Sequence, residues 1–157
     1  MANTTNAVMA KQERRVRAQW RGGCKVELKA RGLAWMADEP KAAGGEDAGP
    51  TPREMALGAL AACVTIITHK VADDLKFNYT DQSIEVRGTA DPRGTKDADN
   101  GISPNFDRVE VKITLVTEEP EERVAELKRQ HKGRCPISAL FRESGCGLDE
   151  EWIIRRP

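Results

Sequence analysis

Apolar and polar residues alternate along the early part of the chain. Val16, Ala18 and Trp20 are separated by polar positions, and the pattern repeats at Val26, Leu28 and Ala30 with "RGG" between the two runs. A period of two belongs to strands with one covered face, and the glycine pair between them predicts an antiparallel hairpin. A short third strand is predicted at 33–36. The alternation returns at Ile84 and Val86 and most cleanly at Val109, Val111, Ile113 and Leu115, whose intervening Glu110, Lys112 and Thr114 are expected to face water. A last strand is predicted near 148–154.

The period changes in "GPTPREMALGALAAC", residues 49–63. Thr51 suits a helix N-cap, Pro52 the first helical position and Glu54 the returning partner of a capping box, so a helix is predicted from there to about 73. From Met55 to Thr68 it carries no charge on any face, which requires enclosure nearly all round. One sheet covers only one side of a helix, so a second copy of the chain is expected on the other, with this helix shared or packed at the interface. A second helix is predicted over about 120–132, with Val124 and Leu127 inward. "PISALF" after Cys135 places Ile137, Leu140 and Phe141 at helical spacing. Strands, a buried helix, strands, helices and a last strand make an α+β order, with antiparallel sheets packed around a long buried central helix.

Composition narrows the possible functions. The 157 residues suit one domain, taken as 14–157, behind a polar, irregular segment at 1–13; the acidic, glycine-rich stretch at 38–50 reads as a loop. With 25 basic and 25 acidic residues and 4% aromatics, the chain lacks the basic, aromatic-studded face that nucleic acids require. No uncharged run approaches the roughly 20 residues of a membrane span, and the polar start lacks the apolar segment of a secretory signal. No membrane partner and a cytoplasmic location are expected.

Four cysteines, Cys24, Cys63, Cys135 and Cys146, lie far apart without CxxC pairs or histidines at ligand spacing, so no metal and no cofactor are expected. A scattered thiol in a reducing compartment is ordinarily a small buried hydrophobe. Cys63 sits mid-helix, where burial alone raises a thiol pKa and only a nearby cation makes it reactive. Cys135, in "GRCPIS", stands at a helix start beside Arg134; it is either a turn residue chosen for size or a thiol activated by the helix N-terminus. Glu54 is accounted for by capping. It lies nine residues before Cys63, about 13 Å of helical rise and half a turn away, so the two meet only through an arginine or across a subunit interface. His69 and His131 each fall late in a predicted helix, the place of a solvated side chain or of a cation on the helix dipole. Cys24 and Cys146 are assigned structural or incidental places.

Taken together, "ADEPKAAGGEDAGPTPREMALGALAAC" followed about seventy residues later by "GRCPISALF" resembles the OsmC/Ohr family of osmotically induced and organic-hydroperoxide-resistance proteins, over roughly residues 15–155. The resemblance implies an intertwined α+β homodimer with two sites at the subunit interface. It implies a thiol peroxidase in which Cys63 attacks an organic hydroperoxide and Cys135 resolves the sulfenic acid into a disulfide. An external dithiol then resets the pair, and Glu54 with an arginine tunes the site. In the peroxidase branches a glutamate directly follows the helix-starting proline; this chain has Arg53 there and Glu54 one residue on. Arg21 and Arg53 are the candidates to replace the family's activating arginine. A rival from another class is a small-molecule binding protein on the same scaffold, with both cysteines as packing residues or a redox switch. A weaker third is acyl-thiol or disulfide exchange.

Overall fold

The computed structural model describes residues 11–157, so most of the N-terminal segment taken as 1–13 lies outside the described residues. The chain divides into two compact units that meet at Pro52 and Arg53.

The first unit is a three-stranded antiparallel meander of β1 (Arg17–Trp20), β2 (Val26–Ala30) and β3 (Leu33–Ala37). The predicted hairpin is present, with Trp20 opposite Val26 and Arg17 opposite Lys29. Its turn depends on Gly22, whose φ of 97° a side chain rarely adopts, and is closed by Lys25 N–H donating to the Gly22 carbonyl at 3.0 Å. After β3 the acidic loop folds back on Asp38. That carboxylate accepts the backbone N–H groups of Glu39, Glu46 and Ala48 at 2.8, 2.9 and 3.1 Å. Gly45 is required there by space, because a Cβ would stand 1.8 Å from the Glu39 carbonyl oxygen. Among the described residues of this unit only Ala37 and Asp38 are buried. Val16, Trp20 and Leu33 are more than half exposed, while Val26, Leu28 and Ala30 of β2 are partly buried.

The second unit opens with α1 (Pro52–Leu75), one unbroken 24-residue helix. Leu60, Val64, Thr68 and Val71 recur every three or four residues and are fully buried. Its opposite side is the one the sequence reading left for a second copy of the chain. Within one chain Ile66 is 53% exposed and Gly58, Ala59 and Ala62 are also open. In length and composition this helix could cross a bilayer, yet its buried stripe is the core against which the second sheet packs.

That sheet has the order β4 (Asp81–Thr89), β5 (Arg108–Val116), β6 (Gly147–Arg155). The alternation in β5 is realised as written: Val109, Val111, Ile113 and Leu115 are at most 1% exposed, while Glu110 and Lys112 face outward. β4 runs antiparallel to β5, but β6 lies parallel to it, with Ile113 opposite Trp152. The sheet is thus mixed rather than antiparallel, because the chain leaves β5 through two helices and re-enters from the same end. Those helices are α2 (Glu121–Arg134) and α3 (Pro136–Glu143). Val124, Leu127 and His131 form the buried stripe of α2. The resulting core has two parts, one around Leu60, Val64, Val109 and Ile113 and including Cys135 and Cys146, the other around Val71, Phe77, Leu115 and Leu127.

Candidate thiol site

Pro136 creates the setting of Cys135. A residue before proline is driven out of the helical region, and Cys135 has φ −83° and ψ 104°, which ends α2 and makes it the cap from which α3 begins. Its N–H donates to the His131 carbonyl at 3.1 Å, and its own carbonyl accepts from Ala139 N–H at 3.1 Å, so the junction is held from both helices. The side chain turns into the core and is 2% exposed. From the other side α1 presents Cys63, half-buried and one residue before the fully buried Val64. The two sulfurs, 72 positions apart in sequence, stand 3.5 Å from each other as free thiols.

The thiols are not equivalent. Burial pushes the Cys63 thiol up, and its neighbour Cys135 adds to that, while the Ile137 backbone N–H and the charge of Lys70 act in the other direction. Burial also opposes ionisation of Cys135, but the neighbouring His131, Ser138 and Cys63 outweigh it and bring the thiol down to about 7. The Ser138 hydroxyl donates to its sulfur at 3.1 Å and is itself fully buried. His131 is 0% exposed and neither of its ring nitrogens has a hydrogen-bond partner. Its ring stands edge-on to Trp152, with centroids 5.3 Å apart.

Of the sequence-predicted site residues, the fold thus brings Cys63 and Cys135 together. Glu54 is exposed in the first turn of α1, on the same straight helix as Cys63, where about 13 Å of rise separates them. The candidate arginines are engaged elsewhere. Arg21 pairs with Glu27 inside the hairpin, Arg53 donates to the Pro104 carbonyl at 3.1 Å, and Arg134 pairs with Asp74 at 2.7 Å. Cys146 is a packing residue, 8% exposed, its sulfur bonded to the Ser144 hydroxyl and the Phe141 carbonyl. His69 bonds the Tyr79 hydroxyl at 3.0 Å.

Sequence reasoning missed three participants. The late-helix position of His131 suggests solvent or the helix dipole, but its spacing of four and seven residues from Leu127 and Val124 sets it on the buried stripe. Ser138 three residues after Cys135 is the spacing of a helix-start contact. Lys70 lies seven residues after Cys63, on the same side of α1 two turns later.

A mixed sheet carrying one long helix, with a second helix pair delivering a thiol against a cysteine of the first, defines an α+β thiol protein. The OsmC-like protein family model matches residues 44–150, and the chain belongs to that family. The OsmC-like protein from Mycoplasma pneumoniae superposes with a TM-score of 0.76 at 14% identity, covering 94% of this chain and 99% of that one. The organic hydroperoxide resistance protein OsmC from Legionella pneumophila gives 0.61 at 22% identity, over 92% and 98%. The organic hydroperoxide resistance protein OhrB of Bacillus subtilis gives 0.56 at 21%, over the same shares. At these identities the likeness is one of fold. No curated protein matches the chain.

Proposed function

We propose that this protein is a cysteine-based thiol peroxidase that reduces organic hydroperoxides, working as a homodimer. The observation that carries this reading is the 3.5 Å separation of the Cys63 and Cys135 sulfurs at the meeting point of α1, α2 and α3. Two free thiols at that distance need only a small side-chain movement to reach the roughly 2 Å of a disulfide. Family membership and the two similar folds that carry organic-hydroperoxide-resistance names support the same direction.

Access decides which sulfur attacks. Cys63 is the more exposed of the two, whereas Cys135 is 2% exposed, so a peroxide oxygen reaches Cys63 first. Its thiolate attacks the distal oxygen and the O–O bond breaks, giving Cys63 sulfenic acid and an alkoxide that is protonated to the alcohol; Cys135 then attacks that sulfur, releasing water and leaving the Cys63–Cys135 disulfide. An external dithiol returns both to thiols. The apolar surroundings, including Leu57, Ile67 and Ile137, suit alkyl or fatty hydroperoxides better than hydrogen peroxide. A cytoplasmic location agrees with this cycle, since both thiols must start reduced. Glu54 joins the site only if a second copy brings its helix start to the partner's thiols.

The test is mass spectrometry of the reduced protein after one equivalent of cumene hydroperoxide, intact and as peptides, with Cys63→Ser alongside. Rapid formation of a Cys63–Cys135 disulfide that is absent from the variant is the expected result. Thiols that stay free would sink the proposal.

A further inference from the structure

Two thiols held side by side can do more than close a disulfide. The Cys63 and Cys135 sulfurs stand 3.5 Å apart, both free. Each is delivered by its own rigid element, Cys63 by the unbroken helix α1 and Cys135 by the junction at which α2 ends and α3 begins. A disulfide brings its sulfurs to roughly 2 Å. One soft atom bonded to both sulfurs holds them farther apart, because two bonds meeting at an angle span more than a single bond does. The reduced pair therefore has less distance to close around a chelated atom than toward a disulfide.

What the pair can chelate is set by what surrounds it. Among the described residues no group of three or more His, Cys, Asp or Glu side chains comes together as a metal set. The other two thiols are turned to backbone carbonyls, Cys24 to that of Gly44 at 3.7 Å and Cys146 to that of Phe141 at 3.3 Å. Zinc takes four ligands, at least three of them from protein, and two sulfurs leave it unsatisfied. Inorganic arsenite, with three exchangeable oxygens, is likewise best satisfied by three thiols. Two thiols complete the valence of a trivalent arsenic that already carries one carbon substituent. That substituent needs an apolar place, and Ile67, one turn after Cys63, and Ile137, two residues after Cys135, are both packed against the core that holds the pair.

We propose that the reduced Cys63–Cys135 pair is a binding site for monosubstituted trivalent arsenicals, selecting them over arsenite and zinc. This inference goes beyond the peroxidase reading and does not depend on it. With an organoarsenic oxide, both thiol protons pass to the arsenic-bound oxygen, which leaves as water, and two arsenic–sulfur bonds take the place of its bonds to arsenic. Arsenic stays trivalent and no electrons change hands, so the step needs neither oxidant nor reductant. Access sets the order. Cys63 is half-buried and Cys135 is 2% exposed, so arsenic bonds to Cys63 first and Cys135 closes the ring from 3.5 Å away. Because the second bond forms within one molecule, the pair holds arsenic about a hundredfold more tightly than a single thiol does. The disulfide has no thiol to give, so only the reduced protein binds, and an arsenical and a hydroperoxide compete for the same two sulfurs.

The test takes the full chain in its reduced form with one equivalent of phenylarsine oxide, in excess glutathione and without peroxide. Intact mass spectrometry is expected to show one adduct per chain that survives the monothiol and is removed by excess dithiothreitol. Digestion is expected to give the Cys63 and Cys135 peptides joined through one arsenic. An adduct stripped by glutathione, or one carried by Cys24 or Cys146, overturns the proposal. Cys63→Ser and Cys135→Ser are each expected to weaken binding about a hundredfold, and Cys24→Ser to leave it unchanged. Single-serine variants that bind as tightly as wild type would also overturn it. The joined peptides are read in the wild-type protein, so that assignment does not depend on how a variant folds. Arsenite and zinc, titrated as competitors of phenylarsine oxide, are expected to bind at least about tenfold more weakly, since each is left a ligand short. Equal binding of either would overturn the selectivity. A protein that takes the arsenical but forms no disulfide with cumene hydroperoxide would lose the peroxidase reading and keep this one.

Discussion

Cys63 and Cys135 face each other at 3.5 Å although one lies on a continuous helix and the other between two helices 72 positions later. Neither residue is displaced from its element to achieve this. The contact follows from α1 and the α2–α3 junction packing on one core with Leu60, Val64 and Ile113.

Charge on α1 should tune Cys63. Lys70 favours its thiolate across two helical turns. Replacing Lys70 with Glu reverses that charge, and alkylation of Cys63 at neutral pH is expected to slow by a few-fold, with the effect shrinking in high salt because the lysine is exposed. Competition mass spectrometry of the Cys63 peptide in both proteins reads this directly. An unchanged rate would remove Lys70 from the site.

The two sides of α1 should respond differently to mutation. Leu60 is 0% exposed within the chain, so Leu60→Ala is expected to cost about 2–5 kcal/mol in urea unfolding. Ile66 is 53% exposed, and Ile66→Glu should leave the fold of each chain intact while weakening association. Light scattering at micromolar concentration is expected to give twice the chain mass for wild type and a smaller mass for Ile66→Glu. A monomeric wild type would remove the second copy from the proposal.

The loop before α1 should loosen in acid. Burial pushes the Asp38 carboxyl up, but the N–H groups of Ala48, Glu46 and Glu39 outweigh it and hold it below its ordinary 3.8. Because the folded value is depressed, this contribution is complete above the unfolded value and is lost as pH falls through the folded one. Hydrogen exchange at Glu46 and Ala48 should therefore accelerate only in that acidic window, and Asp38→Ala should bring the acceleration to neutral pH. Exchange that is fast in wild type at neutral pH would contradict the pinned loop.

Space at Gly88 gives a further expectation. A Cβ there would stand 2.7 Å from Phe106 Cε1 and 3.0 Å from Leu57 Cδ2, so Gly88→Ala must shift a packed ring that also contacts Phe141. A loss of about 1–3 kcal/mol is expected by thermal or urea unfolding. No loss would show that the ring moves freely.

Much of this architecture was legible in the order of residues because its signals are local. The alternation in β5, the Thr-Pro start of α1 and the Cys-Pro start of α3 each act within one turn or one strand, and each appears where the pattern placed it. The parallel setting of β6 was not legible, since a strand's own sequence states which face is apolar but not in which direction its neighbour runs. Nor was the balance between the two thiols. Mid-helix Cys63 and helix-starting Cys135 could be named as candidates from their local settings, and the family resemblance paired them. Their 3.5 Å approach, the burial of His131 beside Cys135 and the diversion of Arg134 to Asp74 required elements distant in sequence to be packed together. The sequence by itself determined the elements and which faces are apolar, because propensity, capping and periodicity are short-range. Only the tertiary structure decided which thiol ionises and what surrounds it, because desolvation and hydrogen bonding depend on which residues of other elements fill the last few ångströms.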